Sequence, residues 1–216
     1  MQLPTIEQVE RAKEESPWDL GNKILYDLCK RYPLHRNTEE ILAKVWLIGR
    51  AYAVAVERRK NKKQSNDTFY VDTICPIFKE PNLDTSLEKL HGIRKCSSAN
   101  IGQILQVHCE LMRLLNRETN LNKRSFGSKY LHFHFPNLFF LYDTRAVSSL
   151  RRFVSRVPDG MKYFLKVERV DKEYSTFFCK CYYLREQIRK EYGLDLTPRQ
   201  LDNLLIAIAN SKGINR

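Results

Sequence analysis

The sequence predicts an all-α protein. Two observations carry this prediction: apolar residues recur at helical spacing along most of the 216 residues, and several such segments begin at capping residues or end at a glycine. Hydrophobic residues make up 43% of the chain and charged residues 29%, as in a chain that folds. We expect one compact helical domain over residues 1–216. Two interleaved lobes, divided near the polar loop at residues 60–67, are the alternative.

The first clear helix start is the stretch "SPWD". Ser16 is suited to the N-cap position, Pro17 to the first helical position and Asp19 to the third. The next helical pattern, "NTEEILAKVWLIGRAYAVAVERRK" at residues 37–60, is apolar on most sides. It predicts a long, central and mostly buried helix.

Two charged residues lie within that long pattern. Arg50 and Glu57 are seven positions apart and would share one helix face. Because buried charges need partners, we expect a structural ion pair between them.

The second half contains three further long helical patterns, at residues 98–118, 172–192 and 196–210. The first places His108 on its apolar side, which favours a core histidine over a metal ligand. The second ends at Gly193, a suitable C-cap, and the third begins with a capping box of Thr197 and Gln200. Only "KYFLKVERV", residues 162–170, is compatible with a strand or an extended loop.

Charge and cysteine content indicate the class of partner and the compartment. The net charge is +12, which favours nucleic acid as the partner. The six cysteines have no CxxC spacing, so we expect reduced thiols, with no zinc site. The polar start "MQLPTIEQVERAKEE" and the lack of a long apolar run predict no membrane span. We expect a cytoplasmic protein, or a nucleoid-associated one in a bacterium.

The stretch "KRSFGSKYLHFHFPNLFFLYDTRA", residues 123–146, is the densest in candidate functional residues. A metal site is disfavoured, because His132 and His134 are two positions apart and would lie on different helix faces. Core packing explains the aromatic residues but not the charged residues among them. The order of parts suggests more: a helix ends at Pro136, an apolar run "NLFFLY" follows, and Asp143 can cap the next helix.

This order resembles the signature of the helix-hairpin-helix DNA glycosylase superfamily, over about 25 residues. In that family a proline and an apolar run lead to an essential aspartate that caps a helix, and the matching position is Asp143. The family's glycine-rich hairpin is replaced by "LNKRSFG". The alignment puts Ser125, 18 positions before Asp143, where members with lyase activity carry a Schiff-base lysine. Serine cannot form an imine, so the resemblance implies a monofunctional glycosylase.

The resemblance also implies roles for neighbouring residues. Asp143 would assist cleavage of the glycosidic bond, and substrate contacts would come from Ser125, Tyr130, His132 and Tyr142, the aromatic ones holding a flipped base. Phosphate contacts would come from six basic residues: Lys123, Arg124, Lys129, Arg145, Arg151 and Arg152.

Three functions remain open from the sequence. The first is a monofunctional DNA glycosylase that acts on double-stranded DNA without a cofactor or a metal. The second is a DNA-binding module of the same fold without catalysis. The third is a helical adaptor whose basic face meets RNA or an acidic partner. The sequence leaves the substrate base and the oligomeric state undetermined.

Overall fold

The computed structural model describes residues 2–57, 60 and 63–211, and within them the chain is all-α. Residues 58, 59, 61 and 62 lie outside the described residues, and two of them, 61 and 62, belong to the polar loop at residues 60–67 where we expected a division between lobes. The α-helices are α1 (Ile6–Arg11), α2 (Asp19–Arg31), α3 (Thr38–Ala51), α4 (Asn66–Phe69), α5 (Cys75–Phe78), α6 (Pro81–Glu88), α7 (Ile101–Thr119), α8 (Arg124–His134), α9 (Thr144–Phe153), α10 (Lys172–Tyr192) and α11 (Pro198–Ser211).

The helix ends follow the capping residues that the sequence provides. Before α2, Ser16 N donates to Asp19 Oδ2 at 2.7 Å, and Trp18 N donates to Ser16 Oγ at 3.1 Å. The capping box of α11 is complete, with Gln200 N donating to Thr197 Oγ1 at 3.2 Å and Thr197 N to Gln200 Oε1 at 2.9 Å. Gly193 ends α10 with a φ of 66°, a left-handed conformation that glycine adopts without strain. The predictions for Thr197 and Gly193 are confirmed. Ser16 is not the N-cap of α2, because the helix begins at Asp19 after Trp18, and the bonds of Ser16 close the turn before it.

Helix α3 is shorter than the prediction. It ends at Ala51, and Ala53 adopts a φ of 53° as the chain turns back over Gly49. A Cβ atom at Gly49 would lie 3.2 Å from Ala55 Cα, so this turn needs the space that glycine leaves. The burial of α3 follows the prediction, since its only exposed residues are Glu39, Trp46, Arg50 and Ala51.

The expected pairing of Arg50 with Glu57 is present, although no helix connects them. Arg50 Nη2 lies 2.5 Å from Glu57 Oε1 across the turn after α3. Tyr70 Oη also donates to Glu57 Oε2 at 2.5 Å. A largely buried carboxylate therefore has both an opposite charge and a neutral donor, which offsets its loss of hydration.

Two segments are helical in less usual ways. A π-helical turn, Tyr70–Ile74, joins α4 to α5, so that one helical rod runs from residue 66 to residue 78. The segment for which a strand was an alternative contains a 3₁₀ helix, Asp159–Lys166, instead. Its apolar residues Met161 and Phe164 point into the core, and three-residue spacing accounts for that burial.

The core is one continuous cluster that extends from Val9 to Ile208. His108 is fully buried and its ring stacks on Tyr174 at 3.6 Å, so it is a core residue, as predicted. The six cysteines are buried with free thiols, and Cys179 and Cys181 serve as packing residues. In the described part of the chain, no helix combines the length and the hydropathy needed to cross a bilayer.

Candidate active site around Asp143

The polar face of α8 holds in place the irregular run, residues 137–142, that leads to Asp143. Ser125, Ser128, Lys129 and His132 recur at helical spacing and face residues 139–142. Tyr142 N donates to Ser128 Oγ at 2.9 Å, and Tyr142 O accepts from Ser125 Oγ at 3.0 Å and from Lys129 Nζ at 2.7 Å. His132 Nδ1 donates to Phe139 O at 2.9 Å. Side chains therefore replace the backbone partners that a helix or sheet would give this run.

Helix α10 adds a further anchor, since Tyr174 Oη donates to Phe140 O at 2.9 Å. The run ends at Asp143, the N-cap of α9, whose Oδ1 accepts from Arg145 N at 2.9 Å. An aspartate cap of this kind stabilises a helix by about 1 kcal/mol. The carboxyl group is thus fixed in position at both its backbone and its side chain, while 27% of the side chain remains exposed.

Five charged residues from α8, α9 and α11 interact around this point, and we call them the charged cluster: Lys129, Asp143, Arg145, Arg199 and Asp202. Lys129 is 3% exposed and donates to Ser125 Oγ at 2.9 Å as well as to Tyr142 O. Asp202 accepts from Arg199 Nη1 at 3.0 Å. Among the described residues, no carboxylate lies within 4.0 Å of Lys129 Nζ, so its charge has no direct ion-pair partner.

Burial shifts the titration of two members of the charged cluster in opposite directions. It lowers the pKa of Lys129 to about 8, although the carboxylates of Asp202 and Asp143 oppose that shift. It raises the pKa of Asp202 to about 6, against the effect of Arg199 and Lys129. Lys129 and Asp202 each affect the pKa of the other, and interacting groups of this kind occur in catalytic sites as well as in structural ion networks.

Tyr52 forms an aromatic wall beside the charged cluster. Its ring centroid lies 5.9 Å from Lys129 Nζ and 5.8 Å from Arg199 Cζ, within the range of cation–π contacts. Its hydroxyl donates to Asn22 Oδ1 at 2.6 Å. The Nδ2 group of Asn22 is buried and has no hydrogen-bond partner, which leaves an unused donor near this wall.

Two of the residues predicted to hold a base lie in the core. Tyr130 is fully buried and its hydroxyl bonds to His35 Nε2 at 2.6 Å. His132 is also fully buried, and its Nε2 accepts from Tyr26 Oη at 2.7 Å. Burial lowers the pKa of His132 to about 3, so the ring is neutral. The interpretation of Tyr130 and His132 as base-stacking residues does not fit these positions.

The other two predicted substrate contacts lie nearer to Asp143. Ser125 is half-buried, and its hydroxyl donates to Tyr142 O and accepts from Lys129 Nζ. Its role in this structure is therefore structural. Tyr142 is half-buried, its ring packs against Phe177 at 5.2 Å, and its hydroxyl donates to Glu173.

The six basic residues predicted to contact phosphates do not form one surface. Lys129 is buried, and Arg124 is held by Asp171 at 2.7 Å and by Glu173 at 2.9 Å. Lys123 is half-buried and already takes part in an interaction. The remaining three lie exposed on α9: Arg145, Arg151 and Arg152. Of these, Arg145 already contacts a carboxylate, since its Nε lies 3.5 Å from Asp143 Oδ1. For Lys129 and Arg124, the prediction of a phosphate contact does not fit these surroundings.

Sequence reasoning missed three members of the site, Tyr52, Arg199 and Asp202. Asp202 lies 59 positions beyond Asp143, in a helix with no visible motif. Its only local signal is an acidic residue between the apolar positions Leu201 and Leu204. That pattern occurs on many amphipathic helices and does not identify a site by itself.

No group of three His, Cys, Asp or Glu residues in the described ranges comes together in a way that could hold a metal ion. A comparison with protein-family models gives no match, and comparisons with curated proteins and with solved structures give none either.

Proposed function

We propose that the protein binds duplex DNA and releases a damaged or modified base by hydrolysis of the N-glycosidic bond, with Asp143 as the catalytic carboxylate. The observation that supports this most is the position of Asp143. It is a partly exposed carboxyl group, fixed at the end of a run that α8 and α10 hold, beside an amine and an acid with shifted pKa values. The sequence resemblance assigns the catalytic role to the same residue.

The reaction depends mainly on where the protein places its charged groups. Water adds a hydroxyl group to C1′ of the sugar, the electrons of the glycosidic bond leave with the base, and the proton of the water goes to the departing base. Positive charge develops on the sugar, and a fixed carboxylate beside it lowers the barrier. Asp143 supplies this carboxylate. Asp202, with a pKa of about 6, can pass a proton to the base and regain one from the water.

Binding of the DNA follows from the exposed arginines. Arg145, Arg151 and Arg152 extend from α9, the helix that Asp143 caps, and can contact phosphates on both sides of the target nucleotide. The base must leave the stack to reach Asp143, at a cost of a few kcal/mol. Tyr52, beside Lys129, and Tyr142, which directly precedes Asp143, are half-buried aromatic rings that could receive it.

The first test compares Asp143→Asn with the wild type on duplexes that carry a panel of damaged and modified bases. Asparagine caps a helix about as well as aspartate, so the fold should persist. We expect base release to fall by about 100-fold or more, with DNA binding retained. Asp171→Asn is the matched control, since Asp171 caps α10 in the same way, with its Oδ1 accepting from Tyr174 N at 2.8 Å. Its base release should stay close to that of the wild type.

Other outcomes assign the function elsewhere. Salt-sensitive binding to DNA without release of any base by the wild type would identify a non-catalytic DNA-binding module, with Asp143 only a helix cap. Absence of both binding and release would point to RNA or an acidic protein as the partner of the arginines on α9.

A further inference from the structure

A cleft with a volume of 770 Å³ lies at the opposite end of α8 from Ser125, between α2, α6 and the loop at Pro136. This volume lies within the range of small-molecule sites in proteins. No member of the charged cluster lines it. The cleft is therefore a separate feature from the candidate active site, and its use is independent of the proposed function.

The walls of the cleft are aromatic and aliphatic. Tyr26 and Phe135 contribute rings, and Leu34, Leu87 and Ile93 contribute aliphatic side chains. The Tyr26 ring is braced by Phe133 at 4.8 Å, and that of Phe135 by His91 at 5.7 Å. Rings fixed in this way can stack on a flat, largely apolar ligand at little cost in conformational entropy.

One of the polar groups that line the cleft is the carboxylate of Asp84, whose side chain is 27% exposed. Its Oδ1 accepts from His35 Nδ1 at 2.5 Å and its Oδ2 from His35 N at 3.1 Å. Burial lowers the pKa of His35, so the ring is neutral and serves to orient the carboxylate. With Nδ1 donating to Asp84, Nε2 accepts from Tyr130 Oη. Burial tends to raise the pKa of Asp84, but the hydrogen bonds from His35 outweigh it and the pKa is lowered.

This carboxylate can accept more hydrogen bonds than it receives. Each oxygen of an ionised carboxyl group has two lone pairs, and each Asp84 oxygen accepts one bond from His35. A ligand that donates a hydrogen is favoured here, and one that presents a carbonyl oxygen is repelled.

The rim of the cleft carries two cations, Lys30 and Arg36, both exposed. In the described ranges neither has a carboxylate within 4.0 Å. Glu88 shares the rim, and with Asp84 the lining of the cleft carries two acidic and two basic residues. An anionic group on the ligand would meet Lys30 and Arg36 at the cleft entrance.

We propose that this cleft binds a nucleotide whose base carries an exocyclic amino group. The base stacks on Tyr26 and Phe135, the amino group donates to Asp84, and the phosphate contacts Lys30 and Arg36. The ligand is either a free mononucleotide or an unpaired nucleotide of a strand, since both present the same chemistry.

The experiment is a calorimetric titration of the full chain with AMP, IMP and adenosine. IMP replaces the amino group of AMP by an oxo group, and adenosine lacks the phosphate. We expect AMP to bind about 10-fold or more tightly than either. Equal affinity for AMP and IMP would overturn the role of Asp84, and absence of AMP binding would overturn the proposal.

Variants locate the binding. Leu34→Trp fills the cleft from an exposed position, and we expect it to weaken AMP binding by about 10-fold or more. Leu20→Trp, also at an exposed leucine but outside the cleft, is the control and should bind like the wild type. Arg36→Glu should bring the affinity for AMP down to that for adenosine, whereas Lys190→Glu, on the exposed face of α10, should not. Full AMP affinity in Leu34→Trp would contradict this site.

Two further experiments distinguish a nucleotide of a strand from a free nucleotide, and binding in the cleft from binding at Asp143. Competition of AMP by a short oligo(dA) with higher affinity would identify a strand as the source, and failure of the oligonucleotide to compete would identify a free nucleotide. Asp143→Asn should bind AMP normally, whether or not the proposed glycosylase activity exists. Loss of AMP binding in that variant would place the nucleotide at Asp143 and contradict the cleft.

Discussion

Lys44 and Lys129 are both buried lysines, and burial lowers the pKa of each to about 8. Their surroundings differ. Lys44 donates to Tyr32 O at 2.7 Å and to Leu34 O at 2.9 Å, which ties down the end of α2. Lys129 donates to Tyr142 O, a carbonyl that also accepts a hydrogen bond from Ser125 Oγ. A shifted pKa thus marks a buried amine, and only the neighbouring groups distinguish a structural amine from a functional one.

The largest expected effect separates the two lysines by activity. Lys129→Met should lower base release by about 100-fold or more, because it removes a hydrogen bond that holds Tyr142, the residue before Asp143, in position. Lys44→Met should retain the wild-type rate per folded molecule. The measurement is single-turnover base release on the substrate found in the panel. Equal losses in both variants would mean that Lys129 acts only through the fold.

The stabilities should rank in the opposite order. Lys44→Met leaves two carbonyl groups without their side-chain donor, whereas Lys129→Met leaves Tyr142 O bonded to Ser125. We expect Lys44→Met to be less stable than Lys129→Met by about 2 kcal/mol, measured by urea denaturation at pH 7. A reversed order would show that Lys129 is the structural lysine of the two.

The stability of the fold should depend on pH through Asp202, in a way that Asp84 does not share. The pKa of Asp202 is raised to about 6 in the folded state, so the folded state binds a proton more tightly than the unfolded state. Stability should therefore fall as the pH rises from about 4 to about 6, by up to about 3 kcal/mol. Asp202→Asn should remove this fall, visible in denaturation midpoints across that pH range. An unchanged pH profile in the variant would assign the dependence to another group.

The smallest effect concerns the titration of the lysines themselves. The carboxylates of Asp143 and Asp202 raise the pKa of Lys129 against the effect of burial. Asp143→Asn should therefore lower the pKa of Lys129 below about 8 by a fraction of a unit, and leave that of Lys44 unchanged. NMR titration of the lysine side-chain signals resolves this. A shift at Lys44 would indicate a change in the whole fold.

Local capping chemistry made much of the helical fold predictable. The starts after Thr197 and Asp143 and the end at Gly193 depend on residues within one helical turn, and the structure follows each of them. The predicted length of α3 is wrong because the end of this helix depends on the close approach of Ala55 to Gly49, which no local pattern encodes.

The candidate site was predictable only in part, for the same physical reason. Asp143 was predictable as a helix cap because the amide that it caps, Arg145 N, lies only two positions away in the sequence. The polar residues of α8 resemble a binding motif, yet Ser125, Ser128 and His132 mainly satisfy the backbone of a run that follows them. Asp202 comes close to Lys129 only through the packing of α11, which is a tertiary effect.

The run before Asp143 has a consequence for the self-association of the folded chain. "NLFFLY", residues 137–142, is uncharged, aromatic and free of proline, which is the composition of segments that assemble into intermolecular β-structure. Backbone groups of Phe139, Phe140 and Tyr142 are bonded to side chains of α8 and α10 of the same molecule. They are thereby withheld from a neighbouring chain. The hydroxyl, imidazole and amine groups that position Asp143 thus also act as gatekeepers against self-association.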